Sequence, residues 1–220
     1  MSGKTLIHLQ CNTGADSISL ARKGAVVTGV DLVPENIFYA RKMAEELGVK
    51  NISFIECDIM KLAEMHQEKY DIVFTSEGAI DWLPDLKKWT KTVKQLLHKG
   101  GYFYILDSHP FFLMFDETEL RNEKLVLKYP YFLKKPDYSD DIGGYASEAK
   151  AGENYFWMYT ISEVINSLIE AGLKIEYLHE SDKLFFDLGG MANSGYGEYH
   201  YPFFDTKMPF QFSLKAAHSD

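Results

Sequence analysis

The stretch from residue 6 to residue 31, L-I-H-L-Q-C-N-T-G-A-D-S-I-S-L-A-R-K-G-A-V-V-T-G-V-D, constrains the chain more than any other. An apolar run (Leu6, Ile7, Leu9) meets a small-residue turn ending at Gly14, and a short amphipathic segment with Ile18, Leu20 and Ala21 follows. A second apolar run, residues 26–30, closes on a lone carboxylate, Asp31. Strand, turn, helix, strand and acid compose a nucleotide-binding βαβ unit. The turn brings a ligand close to backbone and to a helix N-terminus, and the acid accepts ribose hydroxyls. The acid falls about twenty residues past the first strand, the spacing that arrangement asks for. The competing reading is an ordinary α/β connection with a solvated acid at its strand end.

The rest of the chain repeats the alternation. Residues 16–23 form a short helix closed by Gly24. Pro34 opens a second helix, with Ile37, Ala40, Met43, Ala44 and Leu47 on one side and Gly48 as its stop. Residues 52–56 and 70–75 read as strands three and four. Pro84 and Asp85 open a helix bearing Leu86, Trp89, Val93, Leu96 and Leu97; Gly100-Gly101 is expected to end it before a fifth strand at 102–106. Alternating strands and helices imply a parallel doubly wound sheet, with a ligand outside the carboxyl ends of its strands. Those ends carry residues 10–14, Asp31, Asp58, Ser76-Glu77 and Asp107-Ser108-His109.

After residue 109 the periodicity weakens. Thr160-Ile161-Ser162-Glu163 matches a capping box before an amphipathic helix that stops at Gly172. Residues 173–180 and 209–216 read as two strands without a helix between them, an antiparallel pair at the sheet edge. The 220 residues are expected to form a single domain, with insertions at about 110–157 and 181–207 covering the rim. A net charge of −9 with no long basic run argues against nucleic acid as a partner. No apolar run is long enough to span a membrane. Cys11 and Cys57 make no disulfide framework; both read as buried thiols in a reducing, cytoplasmic setting.

Taken in order, these features make the chain resemble the class I S-adenosylmethionine-dependent methyltransferases over nearly its full length. Residues 6–14, L-I-H-L-Q-C-N-T-G, resemble that family's first motif, commonly V-L-D-L-G-C-G-T-G. Asp31 closes the second strand, Cys57-Asp58-Ile59 matches the acid-plus-apolar pair that brackets adenine, and the late strands fit the family's reversed hairpin. Within the family the chain is similar to a branch whose first motif reads H-L-Q-C-x-x-G; Ser76-Glu77-Gly78, Trp82-Leu83 and Trp89 are similar to that branch as well. The resemblance implies a Rossmann-like, mostly parallel seven-stranded sheet with an antiparallel last strand. It also implies S-adenosyl-L-methionine as cofactor, S-adenosyl-L-homocysteine as product and methyl transfer to a small-molecule acceptor.

Cofactor-binding residues expected on this basis are Gln10, Cys11, Asn12, Gly14, Asp31, Leu32, Asp58, Ile59, Ser76 and Glu77. Asp31 should take both ribose hydroxyls and Asp58 the adenine amino group, with Leu32 and Ile59 as apolar walls. Asp58 reads equally as a helix cap, and Leu32 or Ile59 as plain core. His8 stands where the family motif has an acid, which leaves the methionine end to Gln10, Asp16 or Ser76. Glu77, His109 and His200 are the candidates for a general base, each with a structural alternative, and no metal site is expected. The aromatic residues of 110–157 and 181–207 either enclose the acceptor or pack the two insertions onto the sheet. Because strand one starts near Thr5, the cofactor edge is expected to be open, or the chain to be a fragment that forms a homodimer. Two other functions fit part of the pattern: a non-catalytic S-adenosylmethionine-binding protein, and an NAD-dependent oxidoreductase. The latter wants G-x-G-x-x-G, of which only Gly14 is present.

Overall fold

The computed structural model describes residues 1–144 and 147–219. The first half is regular: β1 (Thr5–Leu9), α1 (Ala15–Arg22), β2 (Val26–Asp31), α2 (Pro34–Glu46), β3 (Ile52–Glu56), α3 (Leu62–Met65), β4 (Tyr70–Thr75), α4 (Leu86–Leu96) and β5 (Leu97–Ser108). α5 (Glu117–Arg121), the hairpin β6 (Asp137–Gly144) and β7 (Ser147–Phe156), α6 (Ile161–Glu170) and β8 (Lys174–Ser181) follow. The chain ends on the small pair β9 (Ala192–Gly195) and β10 (Glu198–His200), then β11 (Gln211–Ala217). Seven strands form one sheet in the order β3-β2-β1-β4-β5-β11-β8. β11 runs antiparallel to both β5 and β8, and the first five strands are mutually parallel. The sheet is therefore the mostly parallel, Rossmann-like one expected, with a reversed last strand.

Two layers cover the sheet. On one face α4 and α6 bury Leu86, Trp89, Val93, Leu96, Val164 and Leu168 against Val73, Phe103, Ile105, Phe212 and Leu214. Trp89 is fully buried and meets Phe103 edge-to-face at 5.5 Å, a contact worth about 1 kcal/mol beyond its area. Asp85 caps α4 through Lys88 N, and Thr160 with Glu163 closes the capping box of α6. On the other face α1 and α2 cover β1 to β3 through Ile18, Ala21, Ile37, Ala40 and Ala44. The α2 face is narrower than its spacing predicts: Met43 is only partly buried and Leu47 is 53% exposed. Beyond α1 no helix among the described residues covers this face, and an open cleft of about 470 Å³ is lined by Leu20, Phe74, Tyr102, Tyr104, Tyr177 and Lys215.

Several local readings of the sequence change. Gly100-Gly101 does not end α4. The helix stops at Leu96, and the glycines form a bulge inside β5, where the register against β4 shifts between Tyr70 and Ile72. Gly100 takes φ 78°, and a Cβ on Gly101 would lie 2.8 Å from the Asp71 carbonyl oxygen. The region after residue 109 holds α5 and the β6–β7 hairpin, neither of which its weak periodicity announced. Many of its aromatics are core: Phe112, Phe115, Tyr201, Phe204 and Phe210 form a second apolar cluster with Leu120, Leu184, Leu188 and Met208. The two late insertions thus pack on each other. No helix among the described residues is long and apolar enough to cross a membrane.

Candidate functional site

The first turn is built from three departures from ordinary backbone, at every second residue. Gln10, Asn12 and Gly14 take φ of 58°, 50° and 78°, in the left-handed region. That region costs a residue with a Cβ about 1–2 kcal/mol, with Asn the most tolerant. Fixed hydrogen bonds hold the turn: Cys11 N donates to Val30 O at 2.8 Å, Gly14 N to Cys11 O at 2.9 Å, and Gln10 Nε2 to Ala79 O at 2.7 Å. Gly14 is glycine for a second reason. A Cβ there would lie 2.8 Å from the Phe54 ring and 2.9 Å from Ala40 Cβ. No side chain caps α1 behind Gly14, which leaves the first-turn amides without a side-chain acceptor.

Asp31 lies beside this turn and fastens it. Its Oδ2 accepts Asn12 N at 2.8 Å; its Oδ1 accepts Val33 N at 3.0 Å and Asn36 Nδ2 at 3.1 Å. A carboxylate has about four acceptor sites, so about one remains for a ligand. Leu32, the next residue, is 63% exposed, whereas Ile59 is buried in the main core. Asp58 caps the turn that follows it through Met60 N at 2.9 Å. Cys11 and Cys57 are free and buried. Desolvation pushes the Cys11 thiol up to about 12 and raises Cys57 too, so neither is a nucleophile.

His8 shows how the altered motif is accommodated. The ring is buried, its Nδ1 pairs with Ser17 Oγ at 2.8 Å and its Nε2 with Ser76 Oγ at 3.0 Å. Burial lowers its pKa to about 4 against the pull of Asp16 and Asp31, so the ring is neutral near pH 7. It ties the ends of α1, β1 and β4 together with no charge.

Carboxylates gather at the ends of β4 and β5. Asp107 is fully buried and accepts Gly78 N at 2.6 Å, Ser108 N at 2.8 Å, and Ala79 N and Ile80 N at 3.3 Å each. Asp81, on a 3₁₀ turn at Ile80–Trp82, is buried near it. Desolvation and the Asp107 charge raise Asp81 well above the carboxylate range. Burial also lifts Asp107, against the opposing effect of its amide donors. Glu77 is raised to about 8 by burial first, then by Asp107 and Asp16. Its Oε1 is secluded from solvent with no hydrogen-bond partner, and so is Oε1 of Gln10.

Gln10, Cys11, Asn12, Gly14, Asp31, Ser76 and Glu77 are thus brought to one corner of the rim. His109 and His200 are occupied elsewhere. His109 pairs through Nε2 with Glu180 Oε1 at 3.0 Å and accepts Phe111 N at Nδ1, while burial keeps its pKa low. His200 Nδ1 meets Ser194 Oγ at 2.6 Å across the β9–β10 pair. Reading the sequence missed Asn36 and the burial of Asp81 and Asp107. A signal existed for Asp107, which shares the strand parity of Phe103 and Ile105.

A family model described as a methyltransferase domain matches residues 1–142. The chain belongs to that methyltransferase domain family. It is similar to the ubiquinone biosynthesis O-methyltransferase of Acinetobacter baylyi, 28% identical over 176 residues, covering 80% of this chain and 66% of that protein. Its counterpart in Cronobacter sakazakii is 32% identical over 102 residues, 46% of this chain and 41% of that one. The chain spans at most about two thirds of the length of these relatives. A SAM-dependent methyltransferase structure from Methanosarcina mazei superposes with TM-score 0.69 at 18% identity, over 100% of this chain and 95% of that one. The geranyl diphosphate C-methyltransferase of Streptomyces coelicolor, solved with S-adenosyl-L-homocysteine, gives 0.61 at 12% identity, over 98% and 73%.

Proposed function

We propose that the chain is an S-adenosylmethionine-dependent methyltransferase that acts on a small-molecule acceptor. The observation that carries this reading is the junction of Asp31 with the first turn. The carboxylate that closes β2 holds the Asn12 amide and keeps acceptor capacity beside exposed Leu32. The residues present fit the cofactor: Gly14 has no room for a side chain, the α1 amides lack a side-chain cap, and the Gln10 and Glu77 acceptors are unpaired. Asp31 would hold one ribose hydroxyl directly. The second would reach it only if the Asn36 amide turned aside, because three of the acceptor sites are already filled. Leu32 would flank the adenine, and the α1 amides would face the carboxylate of the methionine end.

S-adenosylmethionine, when bound, supplies a methyl group activated by its sulfonium. The contribution of this chain is to hold acceptor and methyl donor on one axis and keep water away. The insertions at about 110–157 and 181–207 would shape the acceptor side of that space. Of the base candidates, Glu77 has a secluded oxygen without a partner, whereas His109 is hydrogen-bonded to Glu180 and Phe111 and His200 to Ser194. Calorimetry with S-adenosylmethionine, followed by labelled-methyl transfer to a panel of phenols, amines and thiols, tests the reading. Binding with transfer to one class supports it, and no heat at millimolar ligand overturns it.

A further inference from the structure

We propose that Glu77, together with the Gln10 side-chain carbonyl of the same rim, receives the α-ammonium of the methionine end of the cofactor. An acid at the end of β4 would thereby take the place of the acid absent at position 8 of β1. The inference rests on the methyltransferase reading above and goes further into the same site.

Four observations support it. His8 is neutral and spent on two serine hydroxyls, so β1 offers no anion to a cationic group. Its partner Ser76 immediately precedes Glu77, which places Glu77 at the junction His8 occupies. Glu77 Oε1 and Gln10 Oε1 are each secluded without a hydrogen-bond donor, and Gln10 Nε2 is anchored on Ala79, two residues past Glu77. An unpaired secluded acceptor costs about 1–3 kcal/mol, and two beside one binding turn call for a donor carrying several N–H groups. An ammonium has three. Finally, the charges that act on Glu77 are both acidic: Asp107 on β5 and Asp16 on α1. A cation entering there finds acids and no competing cation among these groups, whereas Glu77 without one keeps its proton to about pH 8.

The site should therefore lose a proton when the ammonium arrives. Affinity for S-adenosylhomocysteine should fall by up to about tenfold per unit as pH drops below the Glu77 value of about 8. The test is calorimetry on the full chain and on Glu77→Gln between pH 6.5 and 8.5. One ligand is S-adenosylhomocysteine; the other is 5′-methylthioadenosine, which keeps the adenosine and lacks the amino acid. Glu77→Gln should weaken S-adenosylhomocysteine about tenfold or more at pH 8.5, erase its pH slope and leave 5′-methylthioadenosine unchanged. Unchanged affinity for S-adenosylhomocysteine, equal weakening of both ligands, or a pH slope that survives the substitution overturns the assignment. If wild-type protein binds neither ligand, the methyltransferase reading fails first, and this one with it.

Discussion

Asp31 and Glu77 are both carboxylates at strand ends on one rim, yet their surroundings are opposite. Asp31 is enclosed by donors: the amides of Asn12 and Val33 and the side chain of Asn36. Glu77 is enclosed by other acids, Asp107 and Asp16, with one oxygen lacking any partner. The first carboxylate is complete as folded and offers spare acceptor capacity; the second is incomplete as folded and waits on a donor. On the proposed reading the two ends divide the cofactor between them, the β2 end holding a neutral group and the β4 end a charged one. The backbone differs in the same sense. Gly14 near Asp31 is hemmed in by Phe54 and Ala40, whereas Gly78, beside Glu77, has open space around it despite a φ of 73°.

The largest effect that can break this contrast comes from the glycines. Gly14→Ala combines left-handed strain with a clash and should cost about 2–4 kcal/mol of unfolding free energy in urea. Gly78→Ala carries only the backbone part and should cost about 1–2 kcal/mol. Equal losses would show that the two turns are equally tight.

The pH dependence of stability is the next largest. Glu77 has its folded pKa raised above 4.5, so the native state holds the extra proton and stability falls as pH rises toward about 8. His8 has its folded pKa lowered to about 4, so its contribution is present above 6.5 and is lost as pH falls toward 4. The two oppose each other below 6.5. Asp81 and Asp107, raised as well, add declines of the same sign, so between 6.5 and 8 Glu77→Gln should make the fall in urea midpoints shallower without abolishing it. The smallest effect belongs to Asn36→Ala, which removes one of three donors from Asp31. It should cost about 1 kcal/mol of stability by thermal melting, and a larger loss would mean that the Asp31 side of the rim is less self-sufficient than its amides indicate.

Much of this architecture is legible in the sequence where apolar runs are continuous. β1 to β4 fall where the runs lie, and the acid at Asp31 and the turn at residues 10–14 meet as their spacing requires. The misreadings have local causes. α3 spans only four residues, too few for a helical period to register. Gly100-Gly101 looks the same in one dimension whether it stops a helix or bulges a strand; the choice is set by the Asp71 carbonyl against which Gly101 packs. The acids after β4 carry no one-dimensional sign of burial. Asp81 and Glu77 flank a turn whose amides, at residues 78–80, donate to Asp107 27 to 29 residues further along the chain. The insertion aromatics are ambiguous for the same reason, since their partners lie in the other insertion.

Titration calorimetry of S-adenosylhomocysteine into wild-type protein and Asp31→Ala at pH 8 tests most directly whether an adenosine lies along this rim. Micromolar-class binding by the wild type and a loss of about tenfold or more in the variant is the expected result, the scale of one charge-assisted hydrogen bond. Equal affinity in the two proteins, or no wild-type heat at millimolar ligand, would contradict it.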